Sequence, residues 1–155
     1  MTSNEPYGRR LQARYAFSGA RAEMARTLPL APDEPVLLRG VMNLRGQGLL
    51  ARPTVVRVTP SRLALLAHYV FQPDRVWDIP RAAVHEIAVV RRTVRIGWAS
   101  EQGGAAESRL AAWTNRPFLD RPLRDVEDVA ELLQSWRDSP AGDLPERAVP
   151  HHHRR

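Results

Sequence analysis

The sequence predicts a mostly β fold with some α: a seven-stranded antiparallel split barrel, a C-terminal amphipathic helix that caps it, and an N-terminal helical arm. Three observations predict this. Between Thr54 and Val90, short runs rich in β-branched, aromatic and aliphatic residues are broken by proline-bearing turns, the signature of strands in succession. From Asp125 to Trp136, apolar residues recur at i, i+3, i+4, i+7 and i+10, a one-sided helical stripe. No strand-like run alternates with helical periodicity, as βαβ units would require. The chain divides into an arm over residues 1–30, a barrel with its helix over 31–140, and a disordered tail over 141–155.

In the arm, residues 1–8 form a disordered start and Arg9 to Leu28 reads as helix. Phe17, Ala20, Met24 and Leu28 share a stripe that Leu11 and Tyr15 partly extend, and Arg10, Arg14 and Arg21 lie largely off it. Gly19 weakens the helix by about 1 kcal/mol relative to alanine. The arm is expected to pack on the barrel, the alternative being a basic amphipathic segment on an anionic membrane. The proline-rich run 29–35 stops the helix.

Val36 to Met42 is the first strand. Asn43 to Pro53 is a glycine-punctuated connection that combines Arg45 and Arg52 with exposed Leu44, Leu49 and Leu50. Thr54 to Thr59 is the second strand, ended by Pro60-Ser61. Arg62 to Phe71 is apolar on both faces and is therefore expected to be central. A turn at Gln72-Pro73-Asp74 leads to a short strand, Arg75 to Ile79. Pro80-Arg81 breaks the chain before Ala83 to Val90, and Arg91-Arg92 marks the next turn. Thr93 to Ser100 and Glu107 to Asn115 form a hairpin about Gly103-Gly104. After a loop at 116–122, Asp125 caps the helix whose stripe is Val126, Val129, Ala130, Leu133 and Trp136. Acidic residues open that helix and Arg137 closes it, as its dipole prefers.

The 155 residues suffice for a core without covalent staples, and there is no cysteine for a disulfide, a thiolate metal site or a thiol nucleophile. No apolar run approaches the ~20 residues of a membrane span, and the first residues lack the apolar core of a secretory signal. A cytoplasmic protein is expected. All 23 basic residues are arginine and the net charge is +6. A GC-rich codon bias accounts for this, the alternative being selection for bidentate phosphate contacts. The charge is not concentrated in the barrel, where 15 arginines face 13 acidic residues.

Sought and not found are a P-loop, a dinucleotide-binding glycine motif, HExxH and GxSxG. His68 and His85 read as barrel histidines rather than bases, and Asp74 reads as a turn residue. His151 to His153 could bind a divalent metal weakly, but a tail end explains them as well. The four tryptophans read as core or sheet anchors rather than as a base-stacking platform. No catalytic residue, metal ligand or cofactor is assigned, and an enzyme is not expected.

Three stretches, Val55–Leu66 (VVRVTPSRLALL), Asp74–Val90 (DRVWDIPRAAVHEIAVV) and Asp125–Trp136 (DVEDVAELLQSW), together resemble the pleckstrin-homology-like superfold, especially its GRAM and bacterial branches. The T-x-x-R-L turn is Thr59, Arg62 and Leu63, and the I-P-x-x-x-V strand start is Ile79, Pro80 and Val84. The resemblance covers about residues 34–138. It implies a non-enzymatic adaptor that docks a protein partner or, peripherally, an anionic membrane. It places headgroup-binding arginines at Arg39, Arg45, Arg52 and Arg57, with Leu44, Leu49 and Leu50 as membrane contacts. The alternative from another class is a small OB-like barrel binding single-stranded nucleic acid through Arg and Trp. The late amphipathic helix counts against it.

Overall fold

Strict alternation of side chains along each strand decides which residues meet inside the sheet and which meet a second layer outside it. In the computed structural model the described residues are 7–10, 20–45, 53–68, 73–99, 104–112 and 125–144. They form eight strands: β1 (Gly8–Arg10), β2 (Leu38–Arg45), β3 (Pro53–Val58), β4 (Arg62–Ala67), β5 (Arg75–Pro80), β6 (Val84–Val90), β7 (Thr93–Ala99) and β8 (Ala105–Ala112). The two α-helices are α1 (Ala20–Thr27) and α2 (Val126–Asp138). All strands join one antiparallel sheet in the order β1-β5-β4-β3-β2-β8-β7-β6. The sheet is not closed: β1 and β6 are its two edges. Two runs of sequential neighbours, β2–β5 and β6–β8, are stitched together where β2 pairs with β8.

The inner face carries the main core. Leu38, Met42, Val56, Val58, Leu63, Leu65, Trp77 and Ile79 from the first run meet Val84, Ile87, Val94, Ile96, Trp98 and Leu110 from the second. Helix α2 lies against β6, β7 and β8 and adds Val129, Ala130, Leu133 and Trp136. Its start follows from Asp125, whose Oδ1 accepts the amide of Asp128 at 3.0 Å. Trp136 is fully buried and its Nε1 donates to the Thr59 carbonyl at 2.8 Å, tying the helix to the β3–β4 turn. The expected stripe is thus the buried face of the helix.

The outer face of β3, β4 and β5 carries a smaller cluster, in which Val55, Ala64, Leu66 and Val76 meet Met24 and Leu28 of α1 and its exit. Both faces of β4 are covered and it lies between β3 and β5, as its apolar run implies.

Three departures from expectation have physical reasons. Strand β2 runs on to Arg45, three residues past Met42, because Leu44 continues the inward alternation and the end of β2 pairs with β8. Arg9 and Arg10 are strand rather than helix, and Gly8 is strand rather than part of a disordered start: their backbone adds to the edge of β5, with the Tyr7 carbonyl accepting the Asp78 amide. A Cβ at Gly8 would stand 2.6 Å from Trp77 Nε1, so only glycine lets that segment approach. The helix of the arm is described over 20–27, and Leu11, Tyr15 and Phe17 lie outside the described residues. Finally, the fold continues to Leu144. Gly142, at φ +71°, is buried against the Pro60 carbonyl, and Leu144 packs on the core. The remainder of the tail, with His151 to His153, lies outside the described residues.

The β6–β7 hairpin turns on Arg91 and Arg92, both in the left-handed region at φ 48° and 64°. The β6 edge is partly occupied by α2: Gln134 Nε2 donates to the Ile87 carbonyl at 2.9 Å and Arg137 Nη1 to that of His85 at 3.4 Å. Among the described residues no helix is long and apolar enough to cross a membrane.

Candidate functional site

The β2–β3 ladder sets Arg39 directly opposite Arg57 and Val41 opposite Val55. By alternation these pairs project to the outer face, where α1 crosses. Like charges facing across an antiparallel pair repel, so this register needs compensation. Part of it comes from the helix. Arg57 is only 3% exposed, and its Nη2 donates to the Leu28 carbonyl at 2.9 Å, just past the C-terminal end of α1, where the helix dipole is negative.

Beside it lies a second arginine with the opposite circumstances. Arg62 donates from Nε and Nη2 to the two carboxylate oxygens of Glu34, at 3.0 and 2.8 Å, a bidentate fork. Its Nη1 reaches Asp78 at 3.1 Å, and Nη2 also meets the Pro29 carbonyl at 2.8 Å. Glu34 further accepts the hydroxyl of Thr59 at 2.6 Å and the amide of Ala31 at 3.1 Å. Its carboxyl is accordingly held down at about 2, the Arg62 hydrogen bonds first and burial opposing. Arg62 is held above its ordinary value by the same Glu34 contact. Arg57 moves the other way, lowered by burial first and then by the charge of Arg62.

The consequence is an uneven division of charge. Both carboxylates of this cluster, Glu34 and Asp78, are engaged by Arg62. Arg57 receives one backbone carbonyl, and its buried Nε has no hydrogen-bond partner among the described residues. A cavity of about 270 Å³ opens alongside, lined by Met24, Ala25, Pro29, Leu30, Arg39, Val55 and Arg57. Met24, Val55 and Arg57 are buried and form its floor, while the exposed Ala25, Pro29 and Leu30 form its mouth.

Of the four arginines singled out from the sequence, the structure brings together Arg39 and Arg57. Arg57 is buried under α1 rather than presented at the surface. Arg45 is exposed at the end of β2, opposite Arg109. It stands six residues from Arg39, about 20 Å along the strand. Arg52, Leu49 and Leu50 lie outside the described residues. Leu44 is corrected: it is 7% exposed and belongs to the main core, because strand β2 continues through it and turns it inward. Sequence reasoning missed Glu34 and the exchange it makes with Arg62. The one available signal was the acidic pair Asp33-Glu34 in the proline-rich run ahead of the T-x-x-R-L turn.

The other residues considered have ordinary places. His68 Nδ1 sits 2.9 Å from Oδ1 of the fully buried Asp74, whereas His85 is exposed on the β6 bulge over Gly97. Trp77, Trp98 and Trp136 are all core residues. No group of three or more His, Asp or Glu side chains among the described residues could hold a metal ion. A second, wider groove of about 550 Å³ runs between the β6–β7 hairpin and the start of α2, lined by Val89, Arg92, Ala112, Asp125, Val126 and Glu127. Val89 is 44% exposed there, the most open large apolar side chain among the described residues. Compared with known families and curated proteins, the chain matches no family model and no curated relative.

Proposed function

We propose that the chain is a non-enzymatic binding module of pleckstrin-homology-like build that docks a protein partner. What supports the build is the run of seven antiparallel strands, β2 to β8, followed by a terminal helix laid over the last three. What supports a protein rather than a membrane headgroup is the fate of the arginines. Arg57 is buried, Arg45 is remote from it, and the described cations do not converge on an open phosphate site. The nucleic-acid alternative draws no support, since stacking needs exposed rings and the three described tryptophans are in the core.

The docking surface in this reading is the groove at Val89. Its floor is apolar at Val89, Ala112 and Val126, and its rim carries Asp125 and Glu127 on one side and Arg92 on the other. That chemistry suits a peptide segment with an apolar anchor flanked by a basic residue toward the two acids and an acidic or neutral one toward Arg92. The observation that carries the reading is Val89, an exposed valine on an edge strand beside that groove. The test compares wild type with Val89→Glu in affinity capture from the native cytoplasm, with vesicle co-sedimentation in parallel. The reading expects a stoichiometric protein retained by wild type and lost by V89E, and no sedimentation with either vesicle type. Equal capture by both proteins, or salt-sensitive sedimentation with anionic vesicles alone, overturns it.

A further inference from the structure

The cavity under α1 is not needed by the docking reading, and its chemistry points elsewhere. Its walls are aliphatic: Met24, Ala25, Pro29, Leu30 and Val55. Among the described residues its polar content is two guanidinium groups set opposite each other in the β2–β3 register. One of them, Arg57, is 3% exposed and keeps an Nε–H with no acceptor among the described residues. A buried cationic donor without an acceptor costs a few kcal/mol, and the costs fall when an anion enters. Of the described carboxylates whose charge reaches Arg57, Glu34 and Asp78, neither is hydrogen-bonded to it, because both are engaged by Arg62.

We propose that this cavity binds a small aliphatic carboxylate, with its head on Arg57 and Arg39 and its chain along Met24, Val55 and Leu30. A carboxylate suits the site better than a phosphate. The donors on offer are few, the walls are apolar, and a dianion would be poorly solvated against them. At about 270 Å³ the cavity suits a short aliphatic chain rather than a long acyl tail. Such a ligand would relieve the repulsion between the facing arginines. It would also brace α1 against the sheet, since it touches the helix at Met24 and Ala25 and the strands at Val55 and Arg57.

The probe is hexanoate, titrated into the full chain and followed by thermal shift and by amide NMR. Hexan-1-ol and hexylammonium serve as controls with the same chain. Hexanoate is expected to raise the melting temperature in a saturable way and to move the amides of Ala25, Leu30 and Val55. Hexan-1-ol should bind at least about tenfold more weakly, the share of one charged hydrogen bond. Arg57→Met should abolish binding. Because Arg57 also holds the Leu28 carbonyl, that variant could lose α1 altogether, so a second variant works from the mouth. Ala25→Trp places its ring in the cavity from an exposed position and leaves Arg57 in place. It should melt like wild type and bind hexanoate at least about tenfold more weakly. Wild-type binding by A25W, equal binding of hexanoate and hexan-1-ol, or no saturable response at millimolar hexanoate each overturns the proposal. V89E should bind hexanoate normally, so the two sites fail or succeed separately.

Discussion

The two helices hold the same sheet with very different shares of the buried core. Helix α2 has thirteen residues, a side-chain cap at Asp125 and four residues of its stripe in the main core. Helix α1 has eight residues and contributes Met24, with Leu28 just beyond its end, to the outer cluster. The sheet reaches up to it: Arg57 takes the Leu28 carbonyl and Arg62 takes that of Pro29. Both helices end on arginines that grip their last carbonyls, Arg57 and Arg62 for α1 and Arg81 for α2, so what separates them is how much they bury. The lesson is that a helix that buries little can be placed by the strand residues beneath it rather than by its own periodicity.

That contrast can be broken at its strongest point first. Trp136→Ala removes a fully buried ring and its bond to Thr59, and should cost about 4 kcal/mol in urea unfolding. A cost under about 1 kcal/mol would mean that α2 is not part of the core. Met24→Ala should cost less, about 2–3 kcal/mol, because a short helix can settle into the space left behind. Hydrogen exchange should then speed up in α1 while the amides of β6–β8 keep their protection. Uniform acceleration would show that the outer layer unfolds only with the whole.

The polar half of the contrast is sharpened by pH. The Glu34 carboxyl sits at about 2 in the fold, below its ordinary 4.5, so the folded state takes up its proton later than the unfolded chain. Its contribution is complete above about 4.5 and fades as pH falls toward 2. With its partner Arg62 partly open to solvent, we expect about 1–2 kcal/mol rather than the full ~3.4 kcal/mol of the shift. Glu34→Gln should start less stable at pH 6 and lack that part of the acid-induced loss. Parallel pH profiles for the two proteins would remove Glu34 from the account. The smallest effect has the opposite sign. Replacing Arg91 by Asn and Arg92 by Gly relieves two left-handed residues in a two-residue hairpin turn, and should stabilise by about 1 kcal/mol. No gain would mean that the two arginine side chains contribute contacts that offset their backbone strain.

The inner layer was legible because it is written in periodicity. The alternations of β3 to β8, the double-sided apolar run of β4 and the capped stripe of α2 all appear where spacing puts them, within a few residues. Strand β1 was not legible. Three residues carry no period, and what places them is the exposed backbone of β5 together with a glycine that clears Trp77. The Arg62–Glu34 fork was hidden for another reason. Its partners are 28 residues apart in the chain, and a charge pair at that separation leaves no local pattern. Arg39 and Arg57 were picked out by family likeness as surface cations. Alternation could have shown that they face each other, but not that α1 covers them. Leu44 was misplaced because the glycines after it read as a loop, and the strand simply ended later than expected.

The occupied borders of the sheet carry one more consequence. At one border the chain's own leading segment is hydrogen-bonded along β5; at the other, Gln134 and Arg137 sit on carbonyls of β6. A second molecule therefore finds few main-chain groups on which to extend the ladder. Clipping the first ten residues would uncover Arg75 to Trp77 and strip Tyr7 from the margin of the core, and would be expected to turn a self-contained molecule into one that associates end to end. Protease trimming or the placement of an N-terminal fusion thus bears on solubility as much as on length.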